Sequence, residues 1–332
     1  MQSVMNLTTK YLGLALKNPI VVSSSRMTGD IESIKKCIDA GAGAIVLKSL
    51  FEEQLRIKTQ SKLENSRASE MYFWFPEAKN LVMEQGIKAN MEQYLNFVRK
   101  VKAMSTVPII ASINCQSPDE WPLFASAIQE AGADALELNI AIFPFNKSMA
   151  SCELEEVYVE ILKQVKKHVT IPVSIKLGHY FTNLCALAHR LVENGADGLV
   201  LFNRYFRPDI DIGTLQVVED NYFSSPEELP ESLRWIALMT ENNLGCDLAA
   251  SSGIHTYVGV VKQLLAGADV TQICSTLYLN GIEYLTEIIR GLEDWMTSHN
   301  FETIHDFKGK SLNKQTMDAS FERVHFMNRN FD

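Results

Sequence analysis

The chain has 332 residues, of which 46% are apolar and 21% charged, enough to bury a large core as two domains or one barrel, and we read it as a single domain over residues 1–332. Its net charge of −9 is made of interspersed charges with no long basic run, which disfavours nucleic acid as a partner. No apolar stretch reaches bilayer-spanning length and the N-terminus lacks a signal peptide's apolar region, so the expected protein is cytoplasmic, with no membrane association. Six cysteines, at 37, 115, 152, 185, 246 and 274, form no C-x-x-C pair. At least three fall in predicted core segments, which points to reduced structural thiols and no metal site.

In chain order, a short alternating segment from Met5 leads to a strand over Pro19–Val22 that ends in Ser23, Ser24 and Ser25, either a polar loop or a set of ligand donors. Asp30 is placed to cap a helix whose Ile31, Ile34 and Ile38 share one face. The second strand, Ala44–Leu47, ends in Lys48 and Ser49. A lysine after an apolar run is unusual because charge is rarely buried unpaired. It either snorkels to solvent or serves a site, and the second reading is favoured because in a barrel that rim is the active-site face. Residues 51–80 show no clean period and contain the bulky run MYFWFP, read as an excursion, a hairpin or a lid. Ile87–Val101 reads as a helix and Val107–Ile113 as the third strand, ending in Asn114. Ser117 then looks like a helix cap, with Glu120 three residues on.

The fourth strand, Ala135–Leu138, ends in Asn139 and enters the apolar loop IAIFPFN. A helix striped by Leu154, Val157, Ile161 and Val165 precedes the fifth strand, IPVSIK, which ends in Lys176. After a helix striped by Leu184, Leu187, Ala188 and Leu191, the sixth strand, Gly198–Phe202, ends in Asn203 and Arg204. Residues 205–226 form a second irregular excursion, and a helix through Leu233, Ile236 and Met239 follows. Asp247–Tyr278 reads as two strands around one amphipathic helix, with small-residue turns at Ser251-Ser252-Gly253 and Cys274-Ser275. Such turns let a ligand phosphate reach backbone N–H groups, and a helix N-terminus adds about half a positive charge. A last stripe of Ile282, Leu285, Ile289, Leu292 and Met296 precedes a surface extension over residues 300–332.

Four times a helix passes through Gly-Ala into an apolar strand: AGAGAIVLKS, AGADALELN, NGADGLVLFN and AGADVTQICS. Each Gly fits a left-handed helix end, and each run lacks alternation, as strands covered on both faces do. Sequential β-α units of this kind give a doubly wound sheet or a closed barrel. The two late phosphate turns match strands 7 and 8 of a (β/α)8 TIM barrel, with the excursions over its C-terminal face. Lys48, Asn114, Asn139, Lys176 and Asn203 then ring the mouth. No acidic pair accompanies them, which disfavours glycoside hydrolysis and two-metal chemistry, and no G-x-G-x-x-G occurs. Two cations, three amides and a phosphate site suit flavin mononucleotide (FMN).

In the order and spacing of LGLALKNPIVVSSS, GAGAIVLKSL, VPIIASI, ADALELN, IPVSIKL, DGLVLFNRYFRPDIDI, SSGI and QICSTL, the chain resembles the dihydroorotate dehydrogenase family, most nearly its soluble class 1 enzymes. The resemblance implies an FMN-dependent oxidoreductase acting on CH–CH donors, with a soluble electron acceptor and a homodimeric state. It places Ser23 and Ser24 by the flavin, and Lys48 and Ser49 between ring and substrate. Asn114 and Asn139 would line the ring and Lys176 would stabilise its reduced form. Asn203 would bind substrate, while Ser252, Gly253, Cys274 and Ser275 would hold the phosphate. The pattern breaks in the loop after the fourth strand, where the family has L-N-x-S-C/S-P-N. Here Ile142 stands at the position of the proton-abstracting Cys or Ser, and Pro144 replaces a substrate-binding Asn. Met71 replaces another. Cys152 and His179 are the other candidate bases. The rival readings are a phosphate-binding lyase or isomerase forming a Schiff base on Lys48 or Lys176, and an FMN-binding homologue without dihydroorotate turnover.

Overall fold

A computed structural model describes residues 5–64, 76–115, 120–142, 145–205, 207–219 and 222–310. The Gly-Ala repeats set its geometry. Gly41, Gly132, Gly195 and Gly267 end their helices at φ between +95° and +109°, a region that a side chain disfavours. Three repeats continue with an aspartate whose carboxylate accepts a backbone N–H from a neighbouring strand. Asp134 takes that of Ile109 at 2.8 Å, Asp197 that of Val173 at 2.7 Å, and Asp269 that of Leu248 at 2.8 Å. Lys102, Lys166 and Lys308 pair with the same three carboxylates. The first repeat has Gly43 instead, where an added Cβ would lie 2.2 Å from the Asn18 carbonyl oxygen. There Asn18 does the stapling, accepting from Ile20 N at 3.0 Å and donating to Gly41 O at 2.7 Å.

Eight parallel strands result: β1 (Ile20–Val22), β2 (Ala44–Val46), β3 (Ile109–Asn114), β4 (Ala135–Asn139), β5 (Val173–Leu177), β6 (Gly198–Leu201), β7 (Asp247–Ser251) and β8 (Val270–Ile273). Neighbours pair in sequence order, β8 pairs with β1, and β2 with β3, so the sheet closes on itself. This is the expected (β/α)8 barrel. The helices around it are α1 (Ile31–Asp39), α2 (Glu52–Glu64), α3 (Pro76–Met104), α4 (Glu120–Glu130), α5 (Ser151–His168), α6 (Leu184–Glu193), α7 (Leu229–Glu241), α8 (Tyr257–Leu265), α9 (Ser275–Asn280) and α10 (Tyr284–Ser298). Asp30 caps α1 by accepting from Ser33 N, as its position predicts. No helix among the described residues is long and apolar enough to cross a membrane.

Strand residues that point outward, such as Ile45, Ile109 and Leu136, pack under the helices. Those that point inward form a second cluster, in which Val21, Val46, Ile110 and Val200 meet Tyr11, Leu12 and Leu16. The latter three belong to an antiparallel hairpin, Thr9–Tyr11 with Leu14–Leu16, so the alternating N-terminal segment fills the barrel floor and leaves the opposite end open.

Several expectations change. Among its described residues the first excursion is helical: Leu50–Phe51 pairs with the end of β3, and α2 and α3 follow. A mainly polar helix such as α2, in which Leu55 is buried beside the polar Glu52 and Thr59, leaves little apolar period to read. Met71 and most of MYFWFP, Ser117, Pro144 and residues 311–332 lie outside the described residues. The second excursion contains an exposed hairpin, Pro208–Asp211 with Gln216–Glu219. Residues 301–310 are no surface extension, because Ile304 and Phe307 are fully buried and Phe307 packs against Trp295 and Phe301. All six cysteines are free, and two rather than three are buried, Cys37 and Cys115.

Replacing Asp197 with Ala orphans the Val173 N–H and frees Lys166. Unfolding free energy from urea titration should fall by about 1–3 kcal/mol; an unchanged midpoint would show that the staple is dispensable.

Candidate active site

Alternate residues of a strand point to one side of a sheet, so the inward positions form layers up the lumen. Above the apolar floor they turn polar: Ser112 on β3, Glu137 on β4, Ser174 and Lys176 on β5 and Gln272 on β8 are all buried. The Lys176 ammonium donates to Ser23 Oγ at 3.1 Å and Gln272 Oε1 at 3.2 Å. Ser23 Oγ donates to the same Gln272 oxygen at 3.0 Å, and Gln272 Nε2 donates to Glu137 Oε2 at 2.6 Å. The other Glu137 oxygen lies 3.9 Å from the ammonium and makes no hydrogen bond. Lys176 is therefore enclosed and charge-paired, a deeper position than a rim lysine's.

Above this network opens a cavity of about 540 Å³ lined by Ser23, Ser24, Lys176, Asn203, Gln272 and the two small-residue turns. Its size falls in the usual range for small-molecule sites. At one end Ser252 and Gly253 both adopt φ of +74°, and an added Cβ at Gly253 would lie 2.3 Å from Leu229 N, so only glycine lets α7 start so close. Cys274 and Ser275 line the same end. Burial pushes the Cys274 thiol upward, while Lys176 draws it back. The Ser275 hydroxyl accepts from Ser224 N at 2.9 Å, which leaves its proton free to donate.

The predicted residues divide. Asn203 Nδ2 donates to Asn139 Oδ1 at 2.7 Å, and Asn139 lies in register with Lys176. Ser24 and Ser49 hydroxyls are 3.1 Å apart, and Ser49 and Ser112 hydroxyls 2.7 Å. Lys48 instead lines a neighbouring cavity of about 240 Å³ with Tyr94 and Asn90. Asn114 is buried at the end of β3, in register with Phe51, and lines neither cavity. Cys152 is exposed on the first turn of α5. His179 lies against Tyr180 and Phe202, 4.0 Å from Glu231, in a small side cavity that Asn203 also lines.

Residues 6–296 match the dihydroorotate dehydrogenase family. The chain belongs to that family. It is 27% identical over 313 residues to the catalytic subunit of dihydroorotate dehydrogenase B (NAD(+)) of Methanothermobacter thermautotrophicus, covering 91% of this chain and 97% of that protein. Its identity to the Pyrococcus abyssi protein of the same description is 28% over 311 residues, 92% and 99% of the two chains. The chloroplastic dihydropyrimidine dehydrogenase (NADP(+)) of Arabidopsis thaliana is 22% identical over 340 residues, 94% and 78%. As a member of the dihydroorotate dehydrogenase family the chain is an oxidoreductase acting on CH–CH donors.

Reading strands as uniformly apolar missed Glu137, Gln272 and Ser112. The available signal was the polar residue at every second place, as in Ala135-Leu136-Glu137-Leu138-Asn139 and Ser174-Ile175-Lys176.

Changing Lys176 to Met strands the Glu137 carboxylate in a closed lumen. Stability should drop by about 3–5 kcal/mol in chemical denaturation. Adding Glu137→Gln should restore most of it, and failure to do so would mean that charge pairing does not hold the pair together.

Proposed function

We propose that the chain binds FMN across the barrel mouth and oxidises a CH–CH substrate by hydride transfer to flavin N5, with a soluble electron acceptor. The carrying observation is Lys176. An ammonium has three donors, and Ser23 and Gln272 take two among the described residues, so one remains for an acceptor in the cavity. The donor set fits FMN, with N–H and hydroxyl groups of Ser252, Gly253, Cys274 and Ser275 at the end suited to a phosphate. Bound FMN supplies a two-electron acceptor. Lys176 would set a positive charge against the negative charge that comes with reduction, and Glu137, Ser23 and Gln272 hold that ammonium in place.

Ser23 and Ser24 are donors on the same wall. The Asn139–Asn203 pair offers an amide face to substrate, while Lys48, Ser49 and Asn114 support the site from the adjoining side. Ile142 can neither accept nor donate a proton, so dihydroorotate is an inefficient substrate in this reading. Free cysteines are in keeping with a cytoplasmic location. The exposed Ile210, Ile212, Leu215 and Val217 of the hairpin support a homodimer through that surface.

The purified protein should be yellow and release one FMN per chain on denaturation. Anaerobic dihydroorotate should bleach it about 10²–10⁴ times more slowly than it bleaches a relative with Cys or Ser at the Ile142 position. A colourless protein that traps a carbonyl substrate on Lys48 or Lys176 under borohydride would replace this reading with Schiff-base chemistry.

A further inference from the structure

Beside the Asn139–Asn203 pair, a cleft of about 50 Å³ runs between the β4–α5 loop, α5 and the β5–α6 loop. Ile142, Leu154, Tyr158, Phe181 and Tyr205 make the larger part of its lining, with Ser151, Thr182 and Glu155 as polar members. Tyr158 and Phe181 meet edge to face with centroids 5.4 Å apart, and Tyr205 stacks on Tyr180 at 5.7 Å. Tyr205 rests on the Gly178 backbone, where an added Cβ would lie 2.8 Å from its hydroxyl. It lines both this cleft and the 540 Å³ cavity, and it hydrogen-bonds to the Asn203 side chain.

The cleft has one charged lining residue among those described, Glu155, whose carboxylate lies 3.5 Å from Arg190. Among the described residues, no lysine or arginine lines the cleft to receive an anionic substituent. Arg204 and Arg207, on the far side of Asn203, turn to Glu228 at 3.2 and 3.1 Å. A carboxylate in the cleft would lose its hydration and meet Glu155 as its nearest charge, whereas a hydrocarbon group would meet aromatic faces and the Ile142 side chain.

We infer that the substrate is an uncharged, largely apolar carbonyl compound. Its hydrogen-bonding group meets the Asn139–Asn203 amides, and its hydrocarbon part enters the cleft of Ile142, Tyr158 and Phe181. This rests on the proposed function for the placement of substrate beside the amide pair. It goes further in naming what the altered loop selects, neutral and apolar over the carboxylate-bearing pyrimidine.

Isothermal titration of the flavin-loaded protein with trans-crotonamide, trans-crotonate and orotate tests it, the short hydrocarbon arm being what a cleft of this volume admits. Crotonamide should bind about tenfold more tightly than either acid, and its binding should perturb the flavin's visible band. Ile142→Asn should weaken crotonamide about tenfold at unchanged flavin content, and Ile142→Ala by a smaller factor. The inference is overturned if either acid binds as tightly as crotonamide, if none of the three binds, or if both folded variants bind crotonamide as the parent does. A colourless protein would sink the flavin reading instead, and the same titrations would still rank the three probes for the cleft.

Discussion

The Lys176–Glu137 pair inside the barrel fixes more of this molecule than any other contact. Both charges have left water, and at 3.9 Å their attraction offsets that loss only with the help of Gln272, which hydrogen-bonds to both, and of Ser23, which accepts from Lys176. The arrangement tolerates no slip in strand register. A shift of one residue in β5 would turn Lys176 outward under the helices and bring Ile175 or Leu177 into the lumen. The neighbouring strands β4 and β5 and the distant β8 are thereby held in a single register by one polar layer.

Below that layer the chain is organised for stability. The N-terminal hairpin fills the floor with Tyr11, Leu12 and Leu16, and carboxylates at the ends of the Gly-Ala repeats tie helices to strands around the rim. Above it, side chains belong to loops and open onto cavities. This division follows from the barrel itself: all strands run the same way, so their carboxyl ends converge on one face. Chemistry can change there while the floor is untouched.

Much of this was legible in the chain. The Gly-Ala steps mark helix ends because few residues other than glycine accept the left-handed turn, and they recur at the spacing of β-α units. Lys48, Asn114, Asn139, Lys176 and Asn203 follow from strand ends, and the strand pairing brings Asn139 level with Lys176. What escaped depends on partners far apart in sequence. Glu137 and Gln272 are 135 residues apart and become a network only when the barrel closes. Lys48 and Lys176 occupy similar places along their strands, yet β2 and β5 lie on different sides of the barrel and the two lysines serve different cavities. The helices of the first excursion were hidden because a polar helix without a broad apolar stripe resembles a loop in composition.

The two halves of the mouth answer to different constraints. The side carrying Lys176, Ser23 and the late turns is built around fixed charge, with the buried Lys176 ammonium matched to Glu137, Ser23 and Gln272. Losing one donor there leaves a buried charge unpaired. The side carrying Ile142, Tyr158, Phe181 and Tyr205 has no such fixed charge to meet. Its polarity can drift as a unit, because an apolar replacement for a polar loop residue leaves no buried group unsatisfied so long as its neighbours are apolar as well. The retained amide pair of Asn139 and Asn203 sits on the border between them: mutual hydrogen bonding satisfies one donor and one acceptor, Tyr205 engages the Asn203 side chain as well, and only the amide atoms left over are open to a neutral carbonyl group.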